Sequence, residues 1–381
     1  MTDITQPAAT VSLPSYPSHP RSSTCAPAIS VLLPFRDAAP TLARCLDSLL
    51  TQSDPDFEIV AVDDGSTDEG AAIAGNYALR DARVRVVSQA PLGLVTALNV
   101  GLAACRGRFV ARMDADDIAL PHRLARQRAY LKAHSEIDLL GCLAEPFPDS
   151  ENGEGRLSPG MTRYHEWMNA LRDDGAIKRE LFVESPLPHP SFFARREFFQ
   201  ALWGYRDLPW PEDYDLLLRA AERGYVFGKV PEVLLRRGDG PGRLTRTDPR
   251  YRREGMFRAK ANFLMRGPWL RGMADKGARE TGAREIVIGG SGTSGRLAAR
   301  VLTEAGARVR CFLDNRVGPP GRRVMGLPAH GWPDDIPAAF FAEHRDAFFL
   351  SCIGESAGRE RLRRHLERHG FIEGRDWLRF A

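Results

Sequence analysis

The stretch GRFVARMDADDIALP, Gly107–Pro121, decides how the chain is read. Phe109–Met113 is an apolar run of strand length, and it stops at three acids, Asp114, Asp116 and Asp117. At a strand end, Asp114 and Asp116 lean towards one small volume. Two carboxylates that close repel each other unless a cation sits between them. Oxygen ligands of this kind suit Mg2+ or Mn2+, ions that bridge to phosphates. The segment reads as a metal–diphosphate site. A polar turn that caps a helix at Asp117 is the alternative that needs no metal.

Outward on the N-terminal side, ISVLLPF (Ile29–Phe35) reads as a buried strand ended by Pro34. Leu42, Leu46, Leu49 and Leu50 then give helix spacing over Thr41–Thr51. In FEIVAVDDGSTDEG a second strand, Phe57–Val62, ends at Asp63 and Asp64; Gly65, Ser66 and Thr67 make a turn, with Ser66 or Thr67 placed to cap the next helix. A third strand, Arg83–Ser88, and a helix, Leu94–Cys105, lead back to Phe109. Alternating strand and helix imply a parallel sheet with helices on both faces. Ligands of such sheets sit at the carboxyl ends of the strands. Pro34–Asp37, Asp63–Asp64 and Asp114–Asp116 all fall at such ends. Together they suit a nucleotide: an acid at position 63 or 64 accepts from a base N–H, and a metal at the third end holds the diphosphate. DDGS is also good turn chemistry by itself.

Towards the C-terminus, FPDSENGEGRLSPGM (Phe147–Met161) reads as a loop and a candidate lid. Helices are expected over Thr162–Arg172 and Ala176–Phe182. His189 stands between two prolines, either as a structural histidine or as a further metal or phosphate contact. In WPEDYDLLLRAAERG (Trp210–Gly224), Leu216, Leu217, Ala220 and Ala221 form a burying helix face, with Glu212, Asp213 and Asp215 in the first turn. Acids there favour the helix dipole. They also offer a general base kept apart from the metal, which a hydroxyl acceptor needs in order to attack a sugar carbon.

These residues resemble glycosyltransferase family 2, the inverting GT-A group, from Ala28 to Asp248. The resemblance rests on ISVLLPFRD, VDDGSTD, NVGLAACRGRFVARMDADD, HPSFFARR and GYRDLPWPEDYDLLLRAAERG in that order. It implies a nucleotide-sugar donor, UDP- or dTDP-linked, and displacement by a hydroxyl of a glycan or lipid-linked acceptor, as in bacterial polysaccharide synthesis. The family's DxD signature falls on Asp114–Ala115–Asp116, with Asp116 the direct metal ligand and Asp114 at metal and donor. The nucleoside-contacting acid falls on Asp63 or Asp64, with Pro34 and Phe35 beside them at the first strand end. The catalytic base falls on Asp213, with Glu212 orienting the acceptor or a neighbouring loop. In RRGDGPGRLTRTDPRY, Arg243, Thr245 and Arg246 are the diphosphate-side candidates, unless that stretch is only a basic exposed loop. Arg206 departs from the pattern, standing where the family often has an acid, and that touches the acceptor contacts.

With 381 residues, 43% hydrophobic and 27% charged, the chain is long enough for two cores. A net charge of +4, from 53 basic and 49 acidic residues, argues against nucleic acid as a partner. Six scattered cysteines with no CxxC read as reduced thiols of a cytoplasmic protein. No apolar run reaches the roughly 18 residues of a membrane span. The fold class expected is α/β: a flexible tail over 1–27, a GT-A nucleotide-diphospho-sugar transferase-like domain over 28–250, a helical linker over 251–280 and a small Rossmann-like α/β domain over 281–381.

Phe257, Ala261 and Leu264 share one face of the linker helix, which packs between domains or lies on the inner face of an anionic membrane as a peripheral contact. REIVIGGSGTSGRLAARVLTEAGARVRCFLDN then opens a Rossmann-like unit, with Gly290, Gly292 and Gly295 as GxGxxG and Asp314 about 20 residues on. A strand at Ala347–Cys352 and a basic helix at Arg359–His369 follow. About 100 residues is half of a full dinucleotide-binding fold, so the unit reads as a nucleotide or nucleotide-sugar binding or docking module. An NAD-dependent oxidoreductase is the alternative it raises, without an evident acid–base pair for hydride transfer. A sugar nucleotidyltransferase would need a Gly-rich, basic loop after the first strand, which PFRDAAPT lacks.

Overall fold

The computed structural model describes residues 26–148, 157, 159–240, 243–267, 270, 284–314, 321–332 and 336–381. Eight strands form one sheet: β1 (Ile29–Phe35), β2 (Phe57–Asp63), β3 (Val84–Ser88), β4 (Phe109–Arg112), β5 (Ile118–Ala119), β6 (Leu139–Phe147), β7 (Phe193–Arg195) and β8 (Phe227–Gly238). Their order is β3-β2-β1-β4-β7-β6-β8-β5. β1 runs parallel to β2 and β4, and β2 parallel to β3. β7 is antiparallel to both β4 and β6. Every residue of β1 and β2 is buried, which is why these strands read as unbroken apolar runs. The chain moves outward from β1 through β2 to β3, then returns to the other side of β1 as β4. In open α/β sheets such a reversal, here at β1 and β4, marks the strand ends where ligands bind.

The first half follows the sequence closely. The helix Ala39–Leu50 buries Leu42, Leu46 and Leu49 of the face its spacing marked, together with Cys45, and leaves Leu50 half-buried. Further on the boundaries move. The helix expected over Ala176–Phe182 occupies Asp174–Glu180, because the Asp173 side chain caps it by accepting from Ala176 N. The helix expected over Thr162–Arg172 is Pro159–Ala170. Most of the candidate lid, and the tail over 1–25, lie outside the described residues.

A second sheet of six strands has the order β11-β12-β10-β9-β13-β14. It comprises β9 (Ile286–Gly289), β10 (Val309–Asp314), β11 (Arg323–Val324), β12 (Leu327–Gly331), β13 (Phe348–Ser351) and β14 (Trp377–Arg379). β9 pairs parallel with β10 and β13, and the glycine turn after β9 leads into the helix Thr293–Glu304. Asp314, read from the sequence as the fingerprint acid, is buried and accepts from Ser291 in that turn. The helix Arg253–Arg266 joins the two sheets. Its Phe257, Ala261 and Leu264 are 2%, 1% and 0% exposed, so the face considered for a membrane is instead buried inside the protein. One apolar core runs without a break from Leu32 and Leu98 beneath the first sheet to Leu350 and Phe380 of the second. No helix among the described residues is long and apolar enough to cross a membrane.

Candidate active site

The loops after β1 and β2 are clasped together. Asp37 adopts φ 49°, a left-handed conformation that a short polar side chain tolerates. Its carboxylate accepts from Thr67 N at 2.7 Å and Thr67 Oγ1 at 3.1 Å, and its own N–H donates to Ser66 Oγ. Ser66 and Thr67 were expected to cap the following helix; they close this clasp instead, and the helix Gly70–Arg80 has no side-chain cap. Gly65 turns at φ 68°, where a Cβ would lie 2.8 Å from Pro91. Asp64 commits both oxygens to Gln89 Nε2, Leu92 N and Gly93 N. Asp63 gives one oxygen to Ser66 N at 2.9 Å. Pro34 and Phe35 are buried in β1, and Phe35 O accepts from Asp64 N.

At the end of β4, Asp114, Asp116 and Asp117 present carboxylate oxygens that all lie within 4.8 Å of one another. Asp114 is ion-paired with Arg112, which is 2% exposed. Asp117 does not cap a helix. It is fully buried, its Oδ1 accepts from Gly238 N at 2.9 Å, and its Oδ2 is buried without a hydrogen bond. Burial and then the Asp114 charge push the Asp116 carboxyl up to about 6. Burial, Asp116 and Asp114 raise Asp117 well above the usual carboxylate range. Burial opposes the charge on Asp114 too, but Arg112 outweighs it and holds that carboxyl below the usual range. An orphaned buried oxygen among crowded carboxylates is a donor set that a divalent cation fits.

The second acidic group is the first turn of the helix Glu212–Glu222. Glu212 is 1% exposed; its Oε2 accepts from Tyr251 Oη at 2.6 Å and its Oε1 lies 3.7 Å from His189 Nδ1. His189 Nε2 is 2.8 Å from Tyr205 Oη. Burial, with Arg112 and Arg237 nearby, pulls His189 well below its ordinary range, so the ring is neutral. The structure thus seats His189 beside Glu212 and outside the three-carboxylate group, where it had been a metal candidate. Asp213 accepts from Tyr214 N at 2.7 Å, and burial followed by the Glu212 charge raises its carboxyl to about 7. Asp215 is fully buried and tied to Arg206 at 2.5 Å, Arg219 at 2.7 Å and Trp210 Nε1 at 3.2 Å. Arg206 therefore anchors this helix.

Two buried guanidiniums join these clusters. Arg112 and Arg237 both lower the proton affinity of Asp114 and of Asp213. Arg243 acts on Asp114 and Asp116 and donates to Gly238 O at 2.7 Å. Arg246 pairs with Asp239 at 2.5 Å, and Thr245 is exposed on the short helix Leu244–Thr247. Sequence reading missed Arg112, Arg237 and Tyr251. Arg112 had a signal, a lone charge inside the buried run FVARM; Arg237 and Tyr251 lie at the two ends of the stretch RRGDGPGRLTRTDPRY, from which the sequence reading took Arg243, Thr245 and Arg246 instead.

Residues 30–203 match glycosyl transferase family 2. The amylovoran biosynthesis glycosyltransferase AmsE of Erwinia amylovora is 33% identical over 196 residues, covering 51% of this chain and 69% of AmsE. An uncharacterized glycosyltransferase, EpsJ of Bacillus subtilis, is 39% identical over 119 residues, covering 30% of this chain and 33% of EpsJ. The chain thus spans between a third and about seven tenths of these relatives. Among solved structures, S. aureus TarS 1–349 aligns with a TM-score of 0.48 at 20% identity, over 63% of this chain and 66% of that one.

Proposed function

The chain belongs to glycosyltransferase family 2, and from that premise we propose that it moves a sugar from a nucleotide-diphospho-sugar, UDP- or dTDP-linked, to a hydroxyl of a glycan or lipid-linked acceptor, with inversion, in polysaccharide or glycoconjugate synthesis. The observation that carries this reading is the group Asp114, Asp116 and Asp117 at the end of β4, whose carboxylate oxygens lie within 4.8 Å of one another with one buried oxygen of Asp117 unpartnered. In this reading the donor's diphosphate binds at that group and the acceptor hydroxyl at Asp213.

Asp63 is the acid for the base of the nucleotide, because its second oxygen takes no hydrogen bond among the described residues, while Asp64 is committed to the 89–93 loop. Asp114, Asp116 and Asp117 would hold a divalent ion, Mg2+ or Mn2+, which when bound supplies positive charge against the diphosphate. Arg243 adds a fixed guanidinium on that side and stabilises charge on the departing phosphate. Asp213 accepts the acceptor's proton as its oxygen attacks from the face opposite the phosphate. Its raised proton affinity suits it to that task near neutral pH, and its separation from the carboxylate cluster leaves its lone pairs available.

Donor titrations with and without Mn2+, alongside transfer assays, test the assignment. Asp213→Asn keeps donor affinity and loses transfer by about 100-fold or more; Asp116→Ala loses the metal-dependent part of donor affinity. Turnover retained by Asp213→Asn removes it as the base, and a donor affinity blind to Mn2+ in the parent protein removes the metal.

A further inference from the structure

Glu212, next to the proposed base, is held by a residue from outside the first sheet. Tyr251 Oη donates to it at 2.6 Å. Tyr251 ends the 3-10 turn Pro249–Tyr251, which Asp248 caps by accepting from Arg250 N at 2.9 Å while pairing with the Arg250 guanidinium at 2.6 Å. The helix Arg253–Arg266 then closes onto this turn through Gly255, where a Cβ would sit 2.1 Å from Arg250 O. The phenol is therefore fixed by backbone on both sides. Burial and the nearby acids raise its own proton affinity, so it stays protonated and can only donate to the carboxylate.

The groups facing Glu212 are Tyr251 and Arg250 from this turn, His189 from the turn His189–Ser191, Arg112 from β4, and Asp213 beside it. Those facing Asp213 are Glu212, Arg112 and Arg237, with the phenols of Tyr164, Tyr205 and Tyr214 within electrostatic reach. Adjacent buried carboxylates do not ionise together easily, and a donor bonded to one favours its charged form.

We propose that Tyr251 is a positioning residue for the transfer reaction: by donating to Glu212 it keeps that carboxylate oriented and negatively charged beside Asp213, which keeps Asp213 a strong proton acceptor. The inference rests on Asp213 being the base. Without the phenol, Glu212 takes up the shared proton more readily. Asp213 then faces a neutral neighbour, ionises at lower pH and accepts a proton less strongly.

The test is kcat and donor KM against pH for the parent protein, Tyr251→Phe, Glu212→Gln and the double variant. Tyr251→Phe moves the acid limb of kcat to lower pH by about half a unit or more and lowers the plateau about threefold to tenfold, with donor KM unchanged. Glu212→Gln does the same, and adding Tyr251→Phe to it moves the limb no further. A Tyr251→Phe limb at the parent position overturns the proposal even if the plateau drops, as does a further shift in the double variant. Should Tyr251→Phe not fold, an unmoved limb in Glu212→Gln overturns it. Turnover in Asp213→Asn overturns the base assignment itself; an inactive Asp213→Asn with an unmoved Tyr251→Phe limb overturns only the role of Tyr251.

Discussion

As the proposed base, Asp213 is suited to an acceptor hydroxyl because its surroundings make the charged form costly. Burial and the Glu212 charge raise its carboxyl to about 7, and the form that accepts a proton is the ionised one. Transfer therefore increases with pH across about 7 and drops about tenfold for each unit below it, once chemistry limits the rate; kcat measured from pH 5 to 9 shows the limb. The stability effect has the opposite sign. The folded protein holds this proton more tightly than the unfolded chain, so Asp213 favours the folded state at low pH, and that contribution is lost as pH rises from the ordinary carboxylate range through about 7. Denaturation midpoints of the parent protein and of Asp213→Asn converge towards the acid end of that window and separate towards neutral pH, with the asparagine variant the more stable. Much of this chemistry was legible residue by residue. DAD at a strand end and ED at a helix start are local patterns. Tyr251 on Glu212 joins positions 39 apart, with nothing near either one to announce the bond.

The helix Glu212–Glu222 holds the proposed base, Asp213, in place only while its own first turns stay ordered, and Asp215 is what pins them. Asp215 is 0% exposed and receives two guanidiniums and the Trp210 indole, and one of those guanidiniums, Arg219, is itself 7% exposed. Asp215→Ala leaves that buried charge without its partner, which costs about 3–5 kcal/mol. Chemical denaturation measures the loss, and transfer falls with it because the proposed base rides on the same turn. A loss under about 1 kcal/mol would mean that apolar packing of Leu216, Leu217 and Ala220 alone holds the helix. The family resemblance put the base on Asp213 and an orienting role on Glu212, but nothing in the sequence marked Asp215 as the helix's anchor, since the three acids look alike until their partners are known. Element existence was clearest where strands are buried on both faces, as in β1 and β2. β7 is three residues long, and β8 is interrupted by the exposed Pro231, Glu232 and Val233, so neither leaves a periodic trace.

At the scale of the whole molecule, the two sheets share one core. Lys260 on the joining helix is 2% exposed, and its Nζ donates to Val183 O at 2.8 Å on one side and Phe380 O at 3.2 Å on the other. Phe380 is fully buried, its ring 6.3 Å from Phe182 and 5.5 Å from Phe257, and Arg379 pairs with Glu180 at 2.5 Å. The second sheet therefore bears on the 180–183 segment, and Leu181 O in that segment accepts from Tyr214 Oη, one residue beyond the proposed base. Separate units were readable from the sequence as two runs of strand–helix alternation. Their shared core was not, because its contacts join residues as far apart as Glu180 and Arg379, and no periodicity encodes such a pairing. A continuous core unfolds as a unit. Calorimetry of the full chain gives one transition, and Phe380→Ala lowers its stability by about 3–5 kcal/mol through the cavity it leaves. The loss reaches the helix that carries the proposed base, so transfer falls in the same variant while donor affinity, proposed to be set at the ends of β2 and β4, is kept. Two well-separated transitions in the parent protein, or a Phe380→Ala variant with parental stability and transfer, would show that the sheets fold and act independently.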